Sequence, residues 1–310
     1  MAHTKAPGAV AGVSASAAAV IPFAALAADI LGNVFWGLSN MFTRVALASA
    51  SPTILLSHRF VLSFFILLLL MATGRFELHL KGKHLSSALG VILCMPVYYF
   101  LESRGILYTN ASFAGMLISV VPVVSIVAAI IMLREYPTRK QVFLSILPIV
   151  GVMLISYNGS ALGVVTAKGA LILGACVLVS AIYRVVNKLS SAEYTFFERT
   201  FFVVAACAVF FTVQAAAETG GDLGIYFAPL RDRSYLLCML FLAVFCSTGA
   251  NLLVNYAIPK MPVVVFSAIS SVSTICSLFS GILFLHEPFN GMMLFGAALI
   301  LFGIWQVSKS

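Results

Sequence analysis

The chain has 310 residues, 62% hydrophobic and only 9% charged, with a formal net charge of +8 from 18 basic and 10 acidic side chains. A soluble globular chain is about half apolar and roughly a quarter charged, so these few charges cannot cover a water-facing surface of this size. A soluble enzyme, a nucleic-acid-binding domain and a disordered regulator are excluded. The solvent is lipid, and the excess Lys and Arg belongs in loops beside anionic headgroups.

Residues 1–28 come first. Lys5, an Ala-rich stretch and Ala25-Leu26-Ala27 before Ala28 imitate a secretory signal with its cleavage site; they are read as an N-terminal lead-in lying partly on the surface. Ten apolar segments follow, at 29–48, 53–73, 85–107, 112–133, 140–157, 168–188, 194–216, 234–257, 262–285 and 289–307. Each has about the 20 residues that cross a roughly 30 Å hydrocarbon core. None shows the alternation of a membrane barrel, so all are predicted to be α-helices. The connectors are short except for 218–234. Counting alternate loops, one side carries Lys5, Arg75, Lys81, Lys83, Arg134, Arg139, Lys140, Lys188, Lys260 and Lys309. The other carries Arg104, Lys168, Arg231 and Arg233. The bias places both termini in the cytoplasm of an inner (plasma) membrane. The six cysteines all fall inside spans without a Cys-x-x-Cys, and His79 and His84 sit in a basic loop, so neither disulfides nor a metal are expected.

The chain is written twice. A shift of 152 lays Met132-Leu133-Arg134-Glu135-Tyr136-Pro137 on Phe284-Leu285-His286-Glu287-Pro288-Phe289, Gly151 on Gly303 and Ser119 on Ser271. Nearer the start of each half, Arg59 falls on Arg199 and Arg44 on Lys188. The expected fold is therefore an all-α integral membrane protein of ten transmembrane helices in two five-helix repeats, 29–157 and 168–307. Five is odd, so the second repeat is inverted about an axis in the membrane plane, an arrangement that builds a midplane site with alternating access.

Trp36-Gly37-Leu38-Ser39-Asn40, then Ser51-Pro52 with His58-Arg59-Phe60, resembles the opening of an EamA-type half. So do the half endings, an apolar span closing in Leu-x-Glu and then a Gly-rich span around Gly151 or Gly296 to Gly303. Over about residues 29–307 the chain resembles the drug/metabolite transporter superfamily. That resemblance implies a ten-helix secondary transporter with a central cavity lined by helices 1–4 and 6–9. Gln141–Tyr157 and Arg184–Lys188 also resemble the plastid sugar-phosphate translocators of that superfamily. Their phosphate clamp uses a Lys in the fourth helix and a Lys-Arg pair in the ninth. Residues 112–133 and 262–285 hold neither Lys nor Arg, and a dianion needs cationic donors, so an organophosphate is disfavoured.

Ionisable residues within spans mark function or pairing. Glu102 shares a helix face with Tyr98, four residues earlier, beside Tyr99; it would attract a cation or carry a proton, or pair with Arg104. Arg184 is one turn deeper than Lys188 and is expected to face the cavity, whereas Lys188 snorkels. Asn251 and Asn255 make an i,i+4 amide stripe that binds substrate or glues helices. Trp36 in mid-span, with Tyr98, Tyr99 and Tyr183, forms an aromatic pocket or packs the core; Asn40 lies one turn on. Arg44, Arg59, Glu198 and Arg199 are candidates for a gate or a structural ion pair near the membrane surface. Serines and glycines at Ser112, Gly115, Ser119, Ser267, Ser271, Ser277 and Gly281 allow close helix approach, and Glu135 and Glu287 suggest contacts between the halves.

No catalytic constellation or nucleotide loop is present, so neither an enzyme nor an ATP-driven pump is expected. The functional expectation is a secondary transporter, an exporter by resemblance, of a small polar or amphiphilic metabolite such as an amino acid. Coupling to protons or to exchange is open, and membrane lipid is the surrounding partner. The alternatives are an efflux carrier for organic cations and a membrane-embedded enzyme or scaffold.

Overall fold

In hydrocarbon each backbone N–H and C=O must be satisfied inside its own segment, and the described residues are helical where the chain is continuously apolar. The structure, a computed structural model, describes residues 21–108, 117–118, 120–156, 166–285 and 291–309. Most of the lead-in, and Ser112, Gly115, Ser119, His286 and Glu287, lie outside the described residues, as do the side chains of Asn40 and Arg44 and the setting of Gly281.

The first half contains α1 (Phe23–Ala46), α2 (Pro52–Ala72), α3 (Leu85–Leu107), α4 (Val121–Leu133) and α5 (Arg139–Ser156). The second begins with α6 (Ala167–Ser190) and α7 (Phe196–Thr219). Helix starts follow the local chemistry. Ser51 caps α2, whose first residue is proline, Thr166 caps α6, and Thr195 with Glu198 forms a capping box on α7. Gly220, at φ 62°, ends α7 in the left-handed conformation that glycine adopts without penalty. Against an expectation of ten spans, five helical stretches among the described residues are long and apolar enough to cross a membrane: Pro52–Ala72, Leu85–Glu102, Ala167–Ser190, Phe196–Thr219 and Arg233–Lys260. Three more apolar stretches, Val121–Leu133, Val263–Ser277 and Leu294–Val307, are shorter.

Three segments differ from the sequence expectation. The long connector is not open loop: it holds α8 (Leu223–Phe227), capped by Asp222, and a 3-10 turn at Ala228–Arg231. The span expected at 234–257 is not one α-helix. It runs as α9 (Arg233–Phe241), a nine-residue π-helix (Leu242–Ala250) and α10 (Asn251–Ala257). The span expected at 262–285 is interrupted between α11 (Val263–Ile269) and α12 (Val272–Leu285). There Ser270 Oγ donates to Ser267 O at 2.6 Å and Ser273 Oγ to Ser270 O at 2.7 Å, hydroxyls that compete with the helical ladder. The chain closes with α13 (Gly291–Lys309).

Contacts between the halves display the inversion. In the repeat, α2 corresponds to α7 and α5 to α13. Helix α2 packs on α7 with Ser57 at Thr212, Phe60 at Phe211 and Phe64 at Phe201, so one chain direction opposes the other. In the α5–α13 pair, a Cβ on Gly151 would lie 2.6 Å from Ile300, and one on Gly303 would lie 2.4 Å from Pro148. The 152-residue shift converts 151 into 303 and 148 into 300, so these two contacts are images of each other. Equivalent helices that pair antiparallel require a two-fold axis lying across them, which is what inverted insertion produces. Further packing shows the same symmetry: α3 on α6 matches α1 on the π-helix and α10, and α4 on α6 matches α1 on α12. Outward-facing Ile131, Phe143, Leu171 and Val209 are largely exposed, as lipid-facing side chains should be.

Candidate functional site

Helix α3 contributes the acid that the sequence singles out. Tyr98 Oη donates to Glu102 Oε1 at 2.8 Å, so the i,i+4 face exists and the partner of Glu102 is Tyr98. Arg104 points elsewhere, over the Phe100 ring at 5.0 Å. From α2, Arg59 acts electrostatically on Glu102 and Tyr99, while its Nε donates to Ser247 Oγ of the π-helix. From α6, Arg184 acts on Tyr98 and on Asp29 of α1. Its guanidinium is held by Ser267 Oγ at 3.4 Å and Ser270 Oγ at 3.2 Å, 5.8 Å from the Phe266 ring centre. Two relations of opposite charge result, Asp29 with Arg184 and Glu102 with Arg59, drawn from both halves. Tyr98, Tyr99, Glu102 and Arg184 are only half-buried, and so is Trp36.

Asp29 was missed by sequence reasoning, and the reason is positional. With the first span taken to begin at 29, the acid counts as a terminal residue. Helix α1 begins at Phe23 instead, which sets Asp29 about 9 Å into the helix at 1.5 Å per residue. It is 1% exposed, and Asn33 Nδ2 donates to its Oδ1 at 3.1 Å and its backbone O at 2.8 Å. The available signal was an acid inside an apolar helix with an amide four residues on.

The π-helix organises the neighbourhood of Trp36. Its wider turn leaves carbonyls that side chains take up: Trp36 Nε1 donates to Cys246 O at 3.3 Å, Ser63 Oγ to Ala243 O at 3.1 Å, and Asn251 Nδ2 to Ser247 O at 2.8 Å. Such segments occur frequently at functional sites. Trp36 therefore pins α1 to the π-helix, and Asn251 is spent on its own helix.

The other candidates form closed networks. Arg199 Nη1 donates to Asn187 O (3.1 Å) and Oδ1 (2.6 Å), and its Nη2 donates to Asn255 O (2.5 Å). Asn187 Nδ2 reaches Asn255 Oδ1 at 2.7 Å and Tyr183 Oη at 3.0 Å, and Asn255 Nδ2 reaches Thr200 Oγ1 at 2.8 Å. All are buried, so Asn255, Tyr183 and Arg199 bind α6, α7 and α10 to one another. Asn187, the centre of this network, was not foreseen. Glu198 accepts from Lys83 Nζ at 2.6 Å, His79 N at 2.8 Å and Thr195 N at 2.8 Å. Lys188 pairs with Glu135, whose Oε2 accepts from Val263 N at 3.1 Å. The ion pairs of Glu198 and Lys188 each cross between the halves, at the same end. Arg59 and Arg199, matched by the repeat, have unlike partners. At the opposite end His58 Nδ1 shares a hydrogen bond with Tyr235 Oη at 2.8 Å, and Asp232 accepts from Ser49 Oγ and Ser234 N. The Ser49 bond, chiefly, holds the Asp232 carboxyl below its ordinary range. The six cysteines are free, and no cluster of three metal-ligating side chains occurs among the described residues.

Comparison with known proteins places this geometry in context. The EamA-like transporter family matches residues 22–157 and again residues 167–309. The chain is 30% identical over 281 residues to the "Uncharacterized transporter YcxC" of Bacillus subtilis, covering 89% of this chain and 90% of that one. It is 25% identical over 280 residues to an "Uncharacterized transporter" of Archaeoglobus fulgidus, covering 89% and 95%. A solved crystal structure superimposes with a TM-score of 0.78 at 15% identity, covering 92% of this chain and 97% of its own, a likeness of fold.

Proposed function

The chain belongs to the EamA-like transporter family, within the drug/metabolite transporter superfamily, and from that premise we propose that it is a secondary active transporter of a small zwitterionic metabolite, such as an amino acid. One observation carries the substrate class: Glu102, hydrogen-bonded by Tyr98, and Arg184, opposite in charge, are half-buried on helices α3 and α6, which pack together. A carboxylate receives an ammonium group and a guanidinium fork receives a carboxylate, and both bonds strengthen where water is scarce. The inverted halves supply the means of alternating access, rocking about this layer. On this reading Lys83–Glu198 and Lys188–Glu135 are inter-half contacts that break and remake as one end opens. The distribution of basic residues favours placing that end in the cytoplasm of an inner membrane, with export as the direction that family likeness favours.

A thermal-shift screen of the purified protein against amino acids, amines and nucleosides tests the class, because a ligand of the folded state alone raises apparent stability. An amino-acid hit should vanish in both Glu102→Gln and Arg184→Gln. Amine hits abolished by Glu102→Gln and indifferent to Arg184→Gln would replace the zwitterion reading with a cation carrier. Arg59, which acts on the acid, weighs against that second reading, since it repels a ligand with no negative group.

A further inference from the structure

Two buried oxygen atoms on one face of α1 accept no hydrogen bond among the described residues. They are Asp29 Oδ2 and Asn33 Oδ1, on side chains each 1% exposed. The Asn33 amide has turned its Nδ2 to Asp29, giving one donor to Oδ1 and to the backbone carbonyl. What remains is two acceptors and no donor. A buried acceptor without a partner costs about 1–3 kcal/mol, and an ionised carboxylate without a counter-charge costs more.

The nearest cation does not settle that deficit. Arg184 acts on Asp29 through space, yet its guanidinium hydrogen-bonds to the Ser267 and Ser270 hydroxyls. Asp29 and Arg184 lie at matching depth, six residues from the start of α1 and six from the end of α6, each about 9 Å at 1.5 Å per residue. Among the described residues, the other elements packed on α1 bring no second cation that acts on Asp29. These are α9, the π-helix, α10, Ile258–Lys260, α11 and α12. Their charged side chains are Arg233, at the start of α9, and Lys260, which sits over the Tyr256 ring. Their other titratable groups are Tyr235, bonded to His58, Cys246, bonded to Phe35 O, and Cys238, Tyr256 and Cys276. Arg44 belongs to the opposite end of α1. Among the described residues Arg184 is the one charged group recorded as acting on Asp29.

We propose that Asp29, positioned by Asn33, is a proton-binding site, and that Arg184 competes with the proton for the same carboxylate. A proton taken from bulk water onto Oδ2 removes the buried charge and converts one orphaned acceptor into a donor. Loss of that proton leaves a carboxylate whose available counter-charge is Arg184, which must then leave Ser267 and Ser270. Proton binding on α1, in the first half, is thereby linked to the contact of α6 with Ser267 and Ser270, in the second. The link rests on the transport reading for its biological use, but the site itself does not.

The test reads proton binding directly and needs no substrate. The purified full-length protein in phosphatidylethanolamine–phosphatidylglycerol vesicles is perfused alternately with acidic and alkaline sodium-free potassium buffer. Infrared difference spectra follow the carbonyl stretch of protonated carboxylic acids. A titrating band is expected that disappears in Asp29→Asn, moves in Asp29→Glu, and survives in Glu102→Gln. Arg184→Gln, lacking the competing cation, should hold its proton into more alkaline buffer. If Asp29→Asn is not monodisperse, Asp29→Glu and Asn33→Ala carry the test, because each perturbs the band without removing the carboxyl. A band unmoved by all of these overturns the proposal. So does sodium, at constant ionic strength, displacing the band, which would assign the site to a metal cation. A protein that binds the proton at Asp29 and moves no metabolite would refute the transport reading and leave the site standing.

Discussion

Arg199 is a buried cation held entirely by neutral acceptors, and its replacement tests how such a group is stabilised. It is 1% exposed, makes no ion pair among the described residues, and donates to Asn187 O, Asn187 Oδ1 and Asn255 O. Hydrogen bonds from a charged donor contribute about 1.5–3 kcal/mol each, so three amount to about 5–9 kcal/mol gross. Against this stands a desolvation penalty of several kcal/mol for the lone cation, and burying a charge is often no better than burying a hydrophobe. The penalty disappears with the charge, but three acceptors joining α6 to α10 are then stranded. Arg199→Met is therefore expected to cost about 2–4 kcal/mol, and Arg199→Lys somewhat less, since an ammonium keeps part of the bonding although it cannot span two helices as a fork does. Unfolding in mixed micelles titrated with dodecyl sulfate measures both. Hydrogen exchange should rise at the end of α6 and in α10. A methionine variant as stable as the parent would refute the reasoning, by showing that desolvation outweighs the three bonds.

Other outcomes follow from the same structure. Gly151→Ala and Gly303→Ala place a Cβ 2.4 Å from Gly296 O and from Pro148 Cδ respectively, and each should destabilise by about 1–3 kcal/mol. Gly174→Ala meets nothing within 4 Å and should be neutral or better in the same dodecyl sulfate titrations. A double-mutant cycle on Lys83→Met and Glu198→Gln should return a favourable coupling energy, with Glu198→Gln alone costing about 3–5 kcal/mol; additive effects would deny that the pair acts as a lock. At Asp232 the folded-state carboxyl titrates below its unfolded value, so its contribution is intact above the unfolded pKa and is lost as pH falls through the folded one. Ser49→Ala should flatten that acid-side loss of stability, and an unchanged pH profile would show that the contact contributes nothing.

The candidate site was legible in part, and the division has a physical basis. Tyr98 and Glu102 could be paired from spacing alone, because neighbours four apart on a helix share a face whatever surrounds them. The destinations of Arg59, Arg184 and Arg199 could not, since a long side chain chooses among acceptors on other helices. Asn255 looked equally suited to substrate and to packing, but Asn187 and Thr200 use both ends of its amide and Arg199 takes its backbone O. Asp29 escaped notice because a helix boundary shifted by six residues turns a surface acid into a buried one.

By itself the sequence determined the solvent, the helical class, the repeat and hence the inversion. Those depend on apolar length, on periodicity and on the parity of crossings, all of which are properties of the chain taken one segment at a time. The tertiary structure alone decided where the few charges go. It placed the π-helix in one span and a break in another, and it set Asp29 against Arg184 and Glu102 against Arg59, on four helices. Residue composition excluded water as the surroundings of this protein. The 9% of charged residues acquired distinct tasks only when folding set their neighbours, because the energy of a charge in a low-dielectric interior is fixed by what lies within a few ångströms of it.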